Sequence, residues 1–205
     1  MPDRVPAPAP RDRQLTVRQH ALLTELEGLF LSRGFVRFTL DDLAAETHCS
    51  KSTLYALAPS KEQLAVRIVT RFFKGAAEML EHRIAGLTDA REIIGEYLAG
   101  ISEYLSRASD EFMRDINDFA PARAAYELNG RAAAARIRAF ISQGVTEGVF
   151  REVHATLIAE MAGVLIESIQ TGLLASRTGV SDAEAFTALS ELLLHGMAPA
   201  PSEGG

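Results

Sequence analysis

Residues Thr39 to Leu64 read TLDDLAAETHCSKSTLYALAPSKEQL. Thr39 is a helix-capping residue, and Asp41 and Asp42 follow it in the first turn, facing the positive end of the helix dipole. That short helix carries Leu40, Leu43 and Ala44 inward and stops near Glu46. Ser50 caps a second short helix, which runs to about Leu57 before Pro59 breaks it. Ser60 caps the next helix, opened by Lys61 and Glu62. Two short helices joined by a turn of a few residues make a helix-turn-helix, whose second helix is the one that enters a groove. Leu40, Leu43, Ala44, Cys49 and Leu54 supply its small core. The other face of the second helix offers Ser50, Lys51, Ser52, Thr53 and Tyr55, short hydroxyls with one cation and one phenol. Such groups suit phosphates and base edges.

Outward from this stretch the periodicity is helical, and no alternating β-branched run is present. Leu15, Leu22, Leu26, Leu29 and Phe30 form one stripe of a helix over about 14–33, ended by Gly34. The helix opened by Lys61 continues to about Ile84. Thr88 or Asp89 caps a helix to about Arg107, and Ser109 caps a short one to Phe119. Pro121 occupies the first turn of a long helix ending near Glu147, with Gly130 as a bend. Helices over 153–176 and 182–196 follow. The fold class is all-α, with nine helices: a three-helix head, a connecting fourth helix, and a C-terminal bundle. Proline-rich residues 1–13 and residues 199–205 read as disordered tails.

The chain of 205 residues has a net charge of −6, which argues at first against a nucleic acid partner. The distribution argues the other way: residues 1–75 hold 11 Lys/Arg against 8 Asp/Glu, and residues 76–205 hold 10 against 19. A basic head on an acidic body lets only the head meet a polyanion. The single cysteine excludes an intrachain disulfide. There is no apolar leader and no run of about 20 apolar residues, so a soluble, cytoplasmic protein is expected, with no membrane partner.

Gly34-Phe35, Thr39, Leu43-Ala44, Ser50, Thr53-Leu54-Tyr55 and Pro59-Ser60-Lys61-Glu62 with Leu64 resemble the DNA-binding signature of the TetR (tetracycline repressor) family. The resemblance covers about residues 15–70, and as a spaced set of a dozen positions it is specific. It implies a dimeric transcriptional regulator that binds a palindromic operator in double-stranded DNA, a repressor released by a small-molecule effector. Thr39 would bond a phosphate, Ser50, Lys51, Ser52 and Thr53 would face the groove, Tyr55 would place its hydroxyl on a phosphate, and Lys61 would contact the DNA backbone and brace the docked head. The organisation implied is a head over 14–60, a connecting helix over 61–84, and an effector-binding and dimerisation region over 85–198. Several positions depart from the family pattern. Thr47-His48-Cys49 stands where Ala-Gly-Val is usual, so His48 is expected at positive φ. Ser52 replaces a common glycine, and Ala56 and Leu57 remove polar partners.

The resemblance also implies an effector cavity among the fourth to eighth helices. Tyr97, Ile101, Met113, Ile116 and Tyr126 are the candidates to line it, for a small apolar or aromatic effector. Helix 153–176, with Leu157, Met161, Val164, Leu165 and Ile169, and helix 182–196 are apolar on more than one side. Paired across a two-fold axis they would form a four-helix homodimer interface. His48 and Cys49 lack further ligands at useful spacing, so no metal site or cofactor is expected. Asp110, Glu111, Asp115 and Asp118 read as a solvated face, and Glu191 with His195 as an exposed pair. Arg4, Arg11 and Arg13 offer either a minor-groove arm or a free tail. No nucleophile, base and orienting group come together in the sequence, so no enzyme is expected. The rival reading is a helical small-molecule-binding protein, or an enzyme, whose head no longer binds DNA.

Overall fold

The computed structural model describes residues 15–150 and 155–196. The tails at 1–13 and 199–205, with Arg4, Arg11 and Arg13, lie outside the described residues, as does the start expected for the helix at 153. The described residues form ten α-helices and no strand: α1 Val17–Arg33, α2 Leu40–Glu46, α3 Lys51–Tyr55, α4 Lys61–Ile84, α5 Ala90–Leu105, α6 Asp110–Asp118, α7 Ala120–Thr146, α8 Ala155–Gln170, α9 Leu173–Thr178 and α10 Asp182–Gly196.

The expected nine become ten because the helix predicted over 153–176 is two. Gly172 takes a left-handed conformation with φ 71°, which ends α8 and starts α9 a residue later. The third helix is shorter than predicted. After Tyr55 the chain tightens, the Leu57 N–H donating to the Leu54 carbonyl at 2.9 Å. This turn drives Leu57 and Ala58 into the core. Thr16, Thr39, Ser50, Ser60, Asp89 and Ser109 each cap a helix through the side chain. Each cap satisfies N–H groups that the helix itself leaves open.

One apolar cluster runs without interruption from Leu22 of α1 to Leu193 of α10. Aromatic rings carry it from the head into the body. Phe35, in the loop after α1, meets Phe112 of α6 and Phe119 edge-on at 6.2 and 6.1 Å between centroids. Phe112 in turn meets Phe72 of α4 at 5.7 Å. The amphipathic helix α6 therefore covers the junction between head and body. Among the described residues no helix is long and apolar enough to cross a membrane.

Asp115 corrects the reading of α6 as a uniformly solvated acidic face. Its Oδ2 accepts from the backbone N–H groups of Phe35 and Val36 at 2.5 and 2.8 Å. Gly34 permits this approach. Its φ is 71°, and a Cβ there would lie 2.5 Å from Asp115 Oδ2. A further bond joins the Ser109 N–H to the Leu31 carbonyl at 2.8 Å. Helix α6 thus holds the end of α1 through two sets of main-chain bonds. Removing the carboxylate strands two donors, and hydrogen bonds to charged groups contribute roughly 1.5–3 kcal/mol each. Asp115→Ala is expected to lower unfolding free energy by about 2 kcal/mol, and Asp115→Asn by about half of that, measured by urea denaturation.

Candidate nucleic-acid interface and effector cavity

The turn between α2 and α3 is built around His48, which has φ 48°. Leu43 and Leu54 are fully buried between the two helices, and Leu40, Ala44 and Cys49 pack against them partly exposed. Cys49 Sγ lies 3.2 Å from Thr47 Oγ1, and the Thr47 hydroxyl also donates to the Leu43 carbonyl at 2.7 Å. Both side chains therefore serve the turn. Among the described residues, no three His, Cys, Asp or Glu side chains are grouped to hold a metal ion.

Lys51, Ser52 and Tyr55 are exposed on one side of α3, with Thr53 half-buried beside them. Tyr55 keeps 52% of its surface open, high for an aromatic side chain that nothing else requires at the surface. Ser50 Oγ lies 2.7 Å from Ser52 Oγ and 2.9 Å from Thr53 Oγ1, and it caps α3 by accepting from the Thr53 N–H. The three hydroxyls form a cluster with lone pairs and protons to redirect.

Two of the predicted contact residues, Lys51 and Thr39, are engaged by carboxylates of α2, and a third, Lys61, by a main-chain carbonyl. Lys51 Nζ pairs with Asp41 Oδ1 of α2 at 2.7 Å. That hydrogen bond, and then the carboxylate's charge, hold the ammonium above its ordinary pKa. The Thr39 hydroxyl donates to Asp42 Oδ2 at 2.7 Å and accepts from the Asp42 N–H at 3.2 Å. The Thr39 N–H donates to the same carboxylate at 2.8 Å, and these bonds hold Asp42 below the usual carboxylate range. The sequence reading misses both pairings, although acidic residues in the first turn of α2 are the available signal.

Cations on α4 tie it to the head. Lys61 Nζ donates to the Val36 carbonyl at 2.8 Å. The Arg67 guanidinium donates to the Leu57 carbonyl just past α3. Arg71 bonds Glu27 Oε2 at 2.9 Å and Thr24 Oγ1 at 2.7 Å, both on α1. These bonds tie α4 to α1, to the loop after it, and to the chain just past α3.

The C-terminal half of α4 forms one wall of a cavity of about 260 Å³, closed by α5, α7, the end of α8, and α10. Tyr97, Ile101 and Tyr126 line it, together with Phe73, Tyr104 and Phe186. Met113 and Ile116 do not. Met113 lines a wider groove of about 1030 Å³ between α6 and α9–α10, and Ile116 is fully buried in the core. The reason is the role of α6: its apolar face is used at the head–body junction and is not turned to the cavity. Two polar pairs border the cavity wall. The Tyr126 hydroxyl donates to Asp182 Oδ2 at 2.7 Å, burial raising the pKa of both groups. Glu81 accepts from Arg136 Nε at 2.8 Å and Nη2 at 2.7 Å. Burial and the nearby Glu81 charge push the Tyr97 phenol up to about 12, so it stays protonated.

Residues 22–68 match the family model of bacterial regulatory proteins of the tetR family. No curated protein matches the chain. Solved structures match over nearly its whole length. A protein assigned as a transcriptional regulator from Saccharomonospora viridis, in complex with choline, is 20% identical, with a TM-score of 0.69 over 89% of this chain and 98% of that one. The TetR-family regulator PfmR from Thermus thermophilus is 24% identical, with a TM-score of 0.60 over 87% and 99%. The fatty acid degradation regulator FadR from Bacillus halodurans is 12% identical, with a TM-score of 0.64 over 90% and 98%. The fold is that of the TetR-family transcriptional regulators, and the segment that matches the family model runs from within α1 to the middle of α4.

Replacing Asp41 tests the pairing that occupies Lys51. In Asp41→Asn the Lys51 ammonium is expected to titrate closer to its ordinary pKa, followed by NMR of the labelled lysine side chain. An unchanged titration would remove the ion pair from the description of this surface.

Proposed function

We propose that the chain is a homodimeric repressor that binds a palindromic operator through α3 and is released by a small apolar or aromatic effector held in the 260 Å³ cavity. The observation that carries this reading is the connection between the two ends of α4. One end is bonded to the head by Lys61, Arg67 and Arg71, and the other supplies Phe73, Leu80 and Glu81 to the cavity wall. A ligand that fits one setting of α4 better than another shifts the angle of the head by the difference in its affinities.

In the bound state Lys51, Ser52, Thr53 and Tyr55 face the groove, and Ser50 stabilises the start of their helix. Lys51 exchanges Asp41 for a phosphate or a base edge, so Asp41 works against binding and guards the cation in the free protein. Thr39 meets a phosphate only by giving up its bond to Asp42, so its contribution is smaller than the family resemblance implies. Lys61 acts from behind, holding the loop at Val36.

Dimer formation is supported by apolar side chains that the single chain leaves exposed. Met161 and Val164 on α8 are 54% and 61% exposed, and Leu192 on α10 is 61% exposed. Met161 and Val164 lie three apart on one face of α8, and α8 packs beside α10, so a second copy can cover both helices at once. One helix of five residues gives weak affinity alone, and two such helices on a palindrome read twice the sequence.

Duplexes selected from a random pool by the full chain supply the operator for the tests. Lys51→Ala combined with Tyr55→Ala is expected to weaken operator binding by about 100-fold or more, with the fold and dimer intact by circular dichroism and sedimentation. Asp41→Asn is expected to tighten binding severalfold. Wild-type affinity should fall steeply with rising salt as counterions are released. Undiminished affinity in the double variant would reject α3 as the recognition helix. Separately, Val164→Glu is expected to give monomers at micromolar concentration and to lose operator binding. A dimer unaffected by this charge would move the interface away from α8.

A further inference from the structure

Tyr97 is 4% exposed and Gln170 is 6% exposed, and both line the cavity. Among the described residues the fully buried side-chain atoms left without a partner are Arg91 Nε and Asn117 Oδ1, so the Tyr97 hydroxyl and the Gln170 amide, which have no protein hydrogen-bond partner, open onto cavity space instead. The contrast is with Tyr126, whose hydroxyl is committed to Asp182. A polar atom that opens onto a cavity without a protein partner is free to bond whatever fills that cavity.

The chain has made room for one of them. Gly130 lies in the middle of α7, where glycine costs about 1 kcal/mol relative to alanine. A Cβ at this position would overlap both Nε2 and Oε1 of Gln170. The glycine therefore seats the amide. An alanine at 130 facing an apolar residue at 170 would pack the same space without an open polar group. The cost of a mid-helix glycine is borne, and the amide that it seats has no protein partner.

The fixed charges of the wall are, by contrast, already matched. Glu81 and Arg136 bond each other at both carboxylate oxygens and lie half-exposed at the rim. A ligand carboxylate would compete with Glu81 for Arg136, and a ligand cation would compete with Arg136 for Glu81. Apart from these, the lining is aromatic and aliphatic, with Asn129 as a neutral addition.

Building on the reading of this cavity as the effector site, we propose that it takes an uncharged aromatic compound with at least two hydrogen-bonding groups, one engaging the Tyr97 hydroxyl and one the Gln170 amide. The rings of Phe73, Tyr104 and Phe186 cover the body of the ligand. The two polar contacts select among aromatic compounds, because an analogue lacking them covers both protein groups without pairing them.

Four probes with one ring system separate the possibilities: 2,6-dihydroxynaphthalene, naphthalene, 2-naphthoate and 2-naphthyltrimethylammonium, each titrated calorimetrically into the full chain. The diol is expected to bind about ten-fold more tightly than each of the others, the equivalent of one or two net hydrogen bonds. Tyr97→Phe and Gln170→Leu are each expected to lower diol affinity by about three- to ten-fold while leaving naphthalene affinity unchanged, the latter reporting an intact cavity. Equal or tighter binding of the anion or the cation overturns the proposal. So do equal losses of diol and naphthalene in the variants, or failure of all four probes to bind. Release from selected operator DNA is read separately by fluorescence anisotropy. A diol bound in this pattern that leaves the protein on DNA supports the ligand assignment and overturns the effector reading.

Discussion

Helix α4 is buried against both ends of the molecule, and this double burial is the constraint on which the rest of the structure depends. Leu64, Ala65 and Ile68 belong to the same apolar cluster as Leu43 and Leu54 of the helix-turn-helix, while Phe72, Phe73 and Leu80 pack into the body. A helix of 24 residues is about 36 Å long and does not bend readily once both faces are packed. The head therefore has no independent hinge on α4. Lys61, Arg67 and Arg71 add polar bonds at three successive levels along α4, to the loop after α1, to the chain past α3, and to α1 itself. Helix α6 closes the arrangement from the other side through Asp115 and Phe112. The head is thus clamped between α4 and α6. Helix α4 is the element that the cavity and the head share, and α6 holds the head from the other side.

This clamp explains why the two halves of the molecule are legible in the sequence to different degrees. Helix α4 is predictable over its observed span because Ser60 caps it and its apolar residues recur at helical spacing on both sides of Arg67. The helix-turn-helix is legible for the same local reasons, and the place of His48 in the turn leads to its positive φ. Local signals fail where a distant residue decides the outcome. Asp115 looks like one of four acids on a surface helix, yet it is the acceptor for two N–H groups some 80 residues away in sequence. Lys51 looks like a free cation, yet Asp41 reaches it across the turn. The apolar character of Met113 and Ile116 points to the cavity, but it cannot tell which way an amphipathic helix will face. Gln170 is visible as a polar residue in an otherwise apolar stretch. Its meaning depends on Gly130 in another helix.

The charge asymmetry of the chain takes a more specific form in the structure. Head and body do not simply differ in sign. Within the head, cations near α3 and the start of α4 are held by internal acceptors: Lys51 by Asp41, Lys61 by the Val36 carbonyl, Arg33 by Glu46. The free protein therefore presents a less positive face than its lysines and arginines suggest. These exposed ion pairs contribute little to stability, because surface pairs are well solvated. Their effect falls on binding. A polyanion must compete for each cation, and the exchange is favourable where its phosphates match the spacing of the donors better than the internal carboxylates do. On the proposed DNA-binding reading, such competition lowers affinity for arbitrary DNA, where few donors find a partner, more than for a site at which Ser52, Thr53 and Tyr55 also engage. On that reading held cations trade some affinity for discrimination, the quantity that any operator-binding protein needs, because competing non-specific sites vastly outnumber its operator.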